Sequence, residues 1–190
     1  MAAVAAGQGE CAGAAPADVV TAFHGVLLDN MKHAKAYGCN GRETRVTHSI
    51  EAAFDMPFIA QRVLHRHWAD LSADQRSQFV SAFGNMVTST YASEFNDFSG
   101  ETFTTLNTDA LPNGDQLVHA KLTPGSGDVV NFDYVLRNQD GWRIINVLYD
   151  GVSDMATKSA QYQKLFEQKG FDGLLSWIRD QTSKTRASCA

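Results

Sequence analysis

The side chains able to do chemistry are scattered along this 190-residue chain, and the first question is whether any of them can act together. His65 and His67 stand two apart in a helix-patterned stretch, so they point to different faces and cannot hold one metal ion from a regular helix. His24, His33 and His48 have no acidic or cysteine neighbour at ligand spacing, and His119 stands alone in a strand-like segment. No G-x-S-x-G, H-E-x-x-H or Gly-rich phosphate loop occurs. The GSGD run at Gly125 has turn composition and separates two strand-like segments, where a phosphate loop would open a helix. Asp133 and Tyr134 have the types of a base and an oxyanion donor, but neighbours on a strand face opposite ways. The expectation is therefore no catalytic residue, no metal site and no cofactor.

Cys11, Cys39 and Cys189 contain no C-x-x-C pair and fit no zinc site. They are either free thiols or include one disulfide. A Cys39–Cys189 bridge would close a loop of about 150 residues, contribute about 5 kcal/mol and require an oxidising compartment. Arg62, His65, Arg66 and His67 form a basic cluster with two readings. It is a solvated helix end whose charge complements the macrodipole, or a cationic lip on which Arg62 and Arg66 meet an anionic headgroup or a partner protein.

The elements that must position these groups follow from hydrophobic period. Val20, Phe23, Leu27, Met31 and Ala34 mark a helix from Pro16 to about Tyr37, ended by Gly38. A second helix covers about 43–54, and Asp55 caps a third that runs from Pro57 to about Trp68. Ser72 and Gln75 form a capping box before the longest helix, about 72–95, with the apolar stripe Phe79, Phe83, Met86, Val87, Tyr91 and Phe95. Beyond Gly100 the period becomes two. Segments 102–107, 116–123, 129–138 and 142–149, separated by PNGD, PGSGD and NQDG, predict a four-stranded antiparallel meander. On the last strand Trp142, Ile144 and Leu148 face one way and Ile145, Val147 and Tyr149 the other, so both faces are expected to be covered. Helices return over 153–169 and 172–182, leaving a polar tail expected to fray.

The fold class is α+β: a curved antiparallel sheet packed with several helices around an apolar cavity. Residues 1–15 read as a disordered leader or the remnant of a secretion signal, and 16–184 as a single domain, helical over 16–98, sheet over 101–150 and helical again over 153–182. A formal charge of −5 with no basic run argues against nucleic acid. No window offers the roughly 18 apolar residues of a membrane span. Eleven Phe against three Trp and five Tyr favour a purely apolar lining, as does the apolar surplus of the strand-to-helix unit from Gly141 to Asp180.

Several blocks resemble a known family. VLHRHWADLSADQRSQFVSAF, VTSTYASEF, GWRIINVLYDGVSDM and YQKLFEQKGFDGLLSWIRD are similar, in order, to the MlaC or toluene-tolerance family of periplasmic lipid-binding proteins. LLDNMKHAKAYGCNGR, FDMPFIAQ and NDFSGETFTTL look closest to its hopanoid-associated HpnM branch. The resemblance implies an MlaC-like fold with an NTF2-like sheet. It also implies a periplasmic carrier that takes hopanoid or phospholipid as cargo between inner- and outer-membrane transport complexes. Where the main branch commonly has Gly-Arg-Tyr-Trp, this chain has His65, Arg66, His67 and Trp68, so the family's phospholipid specificity does not carry over directly.

The expected lipid contacts come from periodicity. Phe83, Val87, Tyr91 and Phe95 on the long helix face Phe132, Tyr134 and Leu136 on the third strand, with Ile145 and Val147 from the fourth. Met56, Phe58, Phe103 and Val118 are secondary candidates. A monomer is the simplest state for a shuttle. Two competing readings are an enzyme acting on a triterpenoid or steroid-like substrate, marked by a buried carboxylate in the cavity, and a ligand-free adaptor with a filled core.

Overall fold

The computed structural model describes residues 14–189; most of the expected leader, with Cys11, lies outside them. Pro16 sits at the start of α1 (Pro16–Lys32), where its missing N–H costs nothing, and the Asp18 carboxylate accepts from the Ala15 amide at 3.0 Å. The chain turns at His33 rather than at Gly38, so the first helix ends earlier than its apolar spacing suggests. Helix α2 (Ala34–Ala53) bends at Gly38, whose φ of 59° belongs to the left-handed region that glycine tolerates. Helix α3 (Met56–Leu64) starts where Asp55 accepts from the Phe58 amide at 3.0 Å. It stops before Trp68 because His65 takes φ 47°, and residues His65–Trp68 form a 3-10 turn. The Ser72–Gln75 capping box closes in both directions, at 3.2 and 2.9 Å, and opens α4 (Ala73–Glu94).

Five strands follow, not four, in the order β1 to β5: β1 (Thr102–Ala110), β2 (Gln116–Thr123), β3 (Val130–Asn138), β4 (Trp142–Tyr149) and β5 (Val152–Ser153). β5 has two residues, too short for any periodicity to reveal. Each neighbour pair is antiparallel. Phe132, Tyr134 and Leu136 on β3 and Val118 and Ala120 on β2 are buried on one face, against the helices.

The expected alternation on β4 is wrong at one point. Val135 pairs with Asn146 while Leu136 pairs with Ile144, which leaves Ile145 as the extra residue of a bulge. Ile144 therefore shares a face with Val147 and Tyr149, the partners of Tyr134 and Phe132.

Helix α5 (Asp154–Ser188) begins with the Ser153 hydroxyl accepting from the Ala156 amide at 3.1 Å and bends at Gly170, φ 68°. Its halves are anchored unequally. Before Gly170 only Tyr162 is buried; after it Phe171, Leu174, Leu175, Ile178 and Thr182 all are. The end expected to fray stays helical to Ser188 because Cys189 is joined to Cys39 by a disulfide, Cα–Cα 5.6 Å. Beside that bond the buried Arg42 guanidinium donates to the carbonyls of Ala34 (2.8 Å), Ala92 (3.0 Å) and Cys189 (3.2 Å). One side chain thus satisfies carbonyls near the ends of α4 and α5, where the helix dipoles favour a cation.

Candidate functional site

The outer edge of β4 is tied at two places. Phe54, between α2 and α3, bridges to Ile144, with the Asp55 amide donating to the Ile144 carbonyl at 3.0 Å. At the other end β5 pairs with Leu148 and Tyr149. Asn146 and Val147 lie between the ties, and a recess opens beside them. Its walls come from α3 (Met56, Ile59), α4 (Phe83, Val87, Tyr91) and the start of α5 (Asp154, Met155). The three α4 residues stand four apart, so they line one face of that helix. This recess, about 30 Å³, shares Val87, Tyr91 and Asp154 with an outer cleft of about 250 Å³. The outer part adds Thr90, Glu94, Tyr149 and Lys158. The site is thus apolar at its floor and polar at its rim.

The rim has a defined hydrogen-bond pattern. The Tyr91 and Tyr149 hydroxyls meet at 3.0 Å. Burial pushes the Tyr91 phenol well above its usual range and the Tyr149 phenol up to about 12, so both stay neutral. Lys158 donates to Asp154 one helical turn back at 2.5 Å. Glu94, at the exposed edge, has its carboxyl pKa raised above the ordinary value, chiefly by desolvation, with Lys158 lowering it and Asp154 raising it further. The Asp154 side chain is 36% exposed, so it is not the buried carboxylate an enzyme on this scaffold was expected to show.

The family model for MlaC protein matches residues 23–180. The chain belongs to the MlaC family. No curated protein sequence matches it. Among solved structures it is similar to a phospholipid-binding protein from Ralstonia solanacearum in complex with a phospholipid, at 17% identity and TM-score 0.80, covering 90% of this chain and 99% of that one. At that identity the likeness speaks for the fold, and it extends over nearly the whole MlaC-like domain. No helix among the described residues is long and apolar enough to cross a membrane.

Of the lining residues expected from periodicity, the MlaC-family fold brings Met56, Phe83, Val87, Tyr91 and Val147 together around the recess. Val118, Phe132, Tyr134 and Leu136 lie behind it in close-packed core. Phe95 and Phe103 belong to an aromatic group, 6.0 Å apart, with Tyr91 stacked on Phe95 at 5.8 Å. Phe58 lies elsewhere, its ring 4.7 Å beneath the Arg137 guanidinium. Ile145 is buried in the bulge but outside the core cluster. Arg66 is paired with Glu167 of α5 and Arg62 is exposed; neither borders the cleft.

Glu94, Tyr149, Asp154, Met155 and Lys158 were not anticipated. Their one signal was the Asp154–Lys158 spacing of four, which looks like any solvated helix pair.

One histidine differs from expectation and a second is buried in the core. His119 is not alone: the carboxylates of Asp133 (2.6 Å, directly across on β3) and Asp109 (3.1 Å, on β1) accept from its ring nitrogens. Burial opposes the charge, but those two carboxylates win and raise its pKa. His24 is buried against Phe103 and shares a 2.8 Å hydrogen bond with the Tyr134 hydroxyl; desolvation lowers its pKa to about 4. Asp133 and Tyr134 thus serve opposite faces of β3. A larger groove of about 490 Å³ between α4 and the second half of α5 is lined by Ser77, Gln78, Ser81, Asn85, Arg179 and other mostly polar residues, which could not shelter an acyl chain.

Proposed function

We propose that this chain is a periplasmic lipid carrier, taking hopanoid or phospholipid between transport components of the inner and outer membranes. The observation that carries the reading is the cleft at the uncovered stretch of β4, apolar at its floor and polar at its rim, in a chain of the MlaC family. The phospholipid held by the similar Ralstonia protein supports the phospholipid alternative. The blocks resembling the hopanoid-associated branch support the other. The Cys39–Cys189 disulfide fits an oxidising compartment such as the periplasm.

Met56, Phe83, Val87, Tyr91 and Val147 are the first contacts for the apolar part of the cargo. Relative to a bilayer such a pocket gains little from hydrophobicity, because lipid tails already lie in hydrocarbon. It has only to match that environment, and docking partners then set direction. No covalent step is needed.

The two spaces, 250 and 30 Å³, fall below the roughly 300–1,000 Å³ of ordinary ligand pockets. Loading therefore requires a wall to move, and the first half of α5 is the wall least anchored. Tyr162 is its one buried residue, Gly170 lies at its far end, and the disulfide holds the other half in place.

Val87 belongs to both the recess and the cleft, so Val87→Trp is the sharpest test. The variant is expected to keep the wild-type melting temperature and to take up several-fold less lipid from vesicles. Undiminished uptake by a folded variant contradicts the proposed site.

A further inference from the structure

The two edges of the sheet are finished differently. The β4 edge is closed by the Phe54–Ile144 bridge and by β5, whereas β1 ends the sheet on the other side with no strand beyond it. The N–H and C=O groups that β1 turns away from β2 have no backbone partner among the described residues. Long edge strands are commonly blunted by charge or proline. From Thr102 to Thr108 this one carries neither, and its threonines favour an extended backbone. The pairing register slips between Thr105 and Thr108, which bends the second half of the strand and leaves Thr102–Thr105 as a regular edge.

A groove of about 420 Å³ borders that regular edge, between β1 (Phe103, Thr104, Thr105) and α1 (Thr21, Gly25, Leu28). It shares no residue with the recess or the outer cleft. Gly25 keeps it open. Glycine is the least favourable residue after proline in a helix interior, and a Cβ at position 25 would meet nothing within 4 Å, so packing does not call for it. Every residue lining the groove is uncharged, including His24, which burial keeps neutral. A charged group entering it would find no counter-ion. We infer that the regular half of β1 is a strand-addition site for an extended, uncharged segment of a partner protein, whose backbone pairs with Thr102–Thr105 and whose alternate side chains lie in the groove over Gly25. The free ladder supplies the affinity and the groove the selectivity. The inference goes beyond the carrier reading and does not depend on it: a partner held at this edge leaves the cleft free for cargo.

The test selects random heptapeptides displayed on phage against the purified chain and measures the enriched sequences, as synthetic peptides, by calorimetry and hydrogen exchange. The expected winners are uncharged, rich in Val, Ile, Thr and Tyr, and protect outward-facing amides within Thr102–Thr105. N-methylation of every second peptide residue should weaken binding about tenfold, and methylation of the intervening residues should change it little, because only one edge of an added strand faces β1. Gly25→Trp fills the groove and should weaken binding about tenfold while melting temperature and lipid uptake stay as in wild type. The N-methyl series uses the wild-type chain, so it decides the matter if that variant does not fold. Enrichment of no peptide, or of peptides whose binding neither Gly25→Trp nor N-methylation weakens, overturns the inference. Reduced lipid uptake by folded Gly25→Trp also overturns it, since the groove would then hold cargo. So does a concentration-dependent dimer in sedimentation that Gly25→Trp abolishes, because a second copy of this chain would then close the edge.

Discussion

Breaking the Cys39–Cys189 disulfide should cost more stability than any other single covalent change available to this chain. The two residues are separated by 150 positions, so the bridge constrains almost the entire unfolded ensemble. Closing a loop of that size removes about 17 cal/mol/K of chain entropy, or about 5 kcal/mol at 25 °C. For a chain of this length each kcal/mol moves the melting temperature by about 2–4 °C, so Cys39→Ala/Cys189→Ala should melt about 10–20 °C lower. The loss should not be spread evenly. Cys189 ends α5 and places its carbonyl on Arg42, so amide exchange should accelerate first at the end of that helix. Urea titrations of wild type with and without reductant provide the assay, the reduced wild type being expected to match the variant. A midpoint that reductant leaves unmoved, or a variant as stable as the oxidised parent, refutes the reasoning, because the bridge would then constrain nothing.

Four further outcomes follow from the packing. Arg42→Met takes the guanidinium donor from three carbonyls and should destabilise the fold by about 3–5 kcal/mol in urea titration. His24 is held neutral in the core, with a folded pKa of about 4 against 6.5 unfolded, so stability should fall as pH drops between those values, by about 3 kcal/mol in all. His24→Gln should flatten that acid limb in thermal melts between pH 7 and 4. His119, with its pKa raised, has the opposite sign: its contribution is present below 6.5 and lost as pH rises through the folded value. Hydrogen exchange should show residues 154–169 opening faster than 171–188 in the purified protein; equal rates would remove the moving wall from the account.

Much of this was legible in the residues. The helix starts at Ser72 and Asp55 were readable because a cap is a local, chemically explicit event. The α+β class was readable because the period changes from helical to alternating at Gly100 and back to helical near Ser153. Five of the residues picked from periodicity meet at the recess because Phe83, Val87 and Tyr91 share one helical face and the sheet presents Val147 to it. The rest depended on information that no local pattern holds. The bulge at Ile145 adds one residue to one strand, which alternation cannot register. The partners of His119 sit on two other strands, and their approach is set by pairing register. The ordered tail depends on a bond spanning 150 positions. The rim residues Glu94, Asp154 and Lys158 are polar, and a polar helix residue facing a cleft has the same sequence appearance as one facing water.

Native mass spectrometry of gently purified protein, followed by organic extraction, tests the central claim most directly. The account predicts a lipid bound in about stoichiometric amount, reduced several-fold in Val87→Trp while the melting temperature holds. A chain that is reproducibly without lipid, and that takes none from vesicles after its disulfide is confirmed intact, contradicts it.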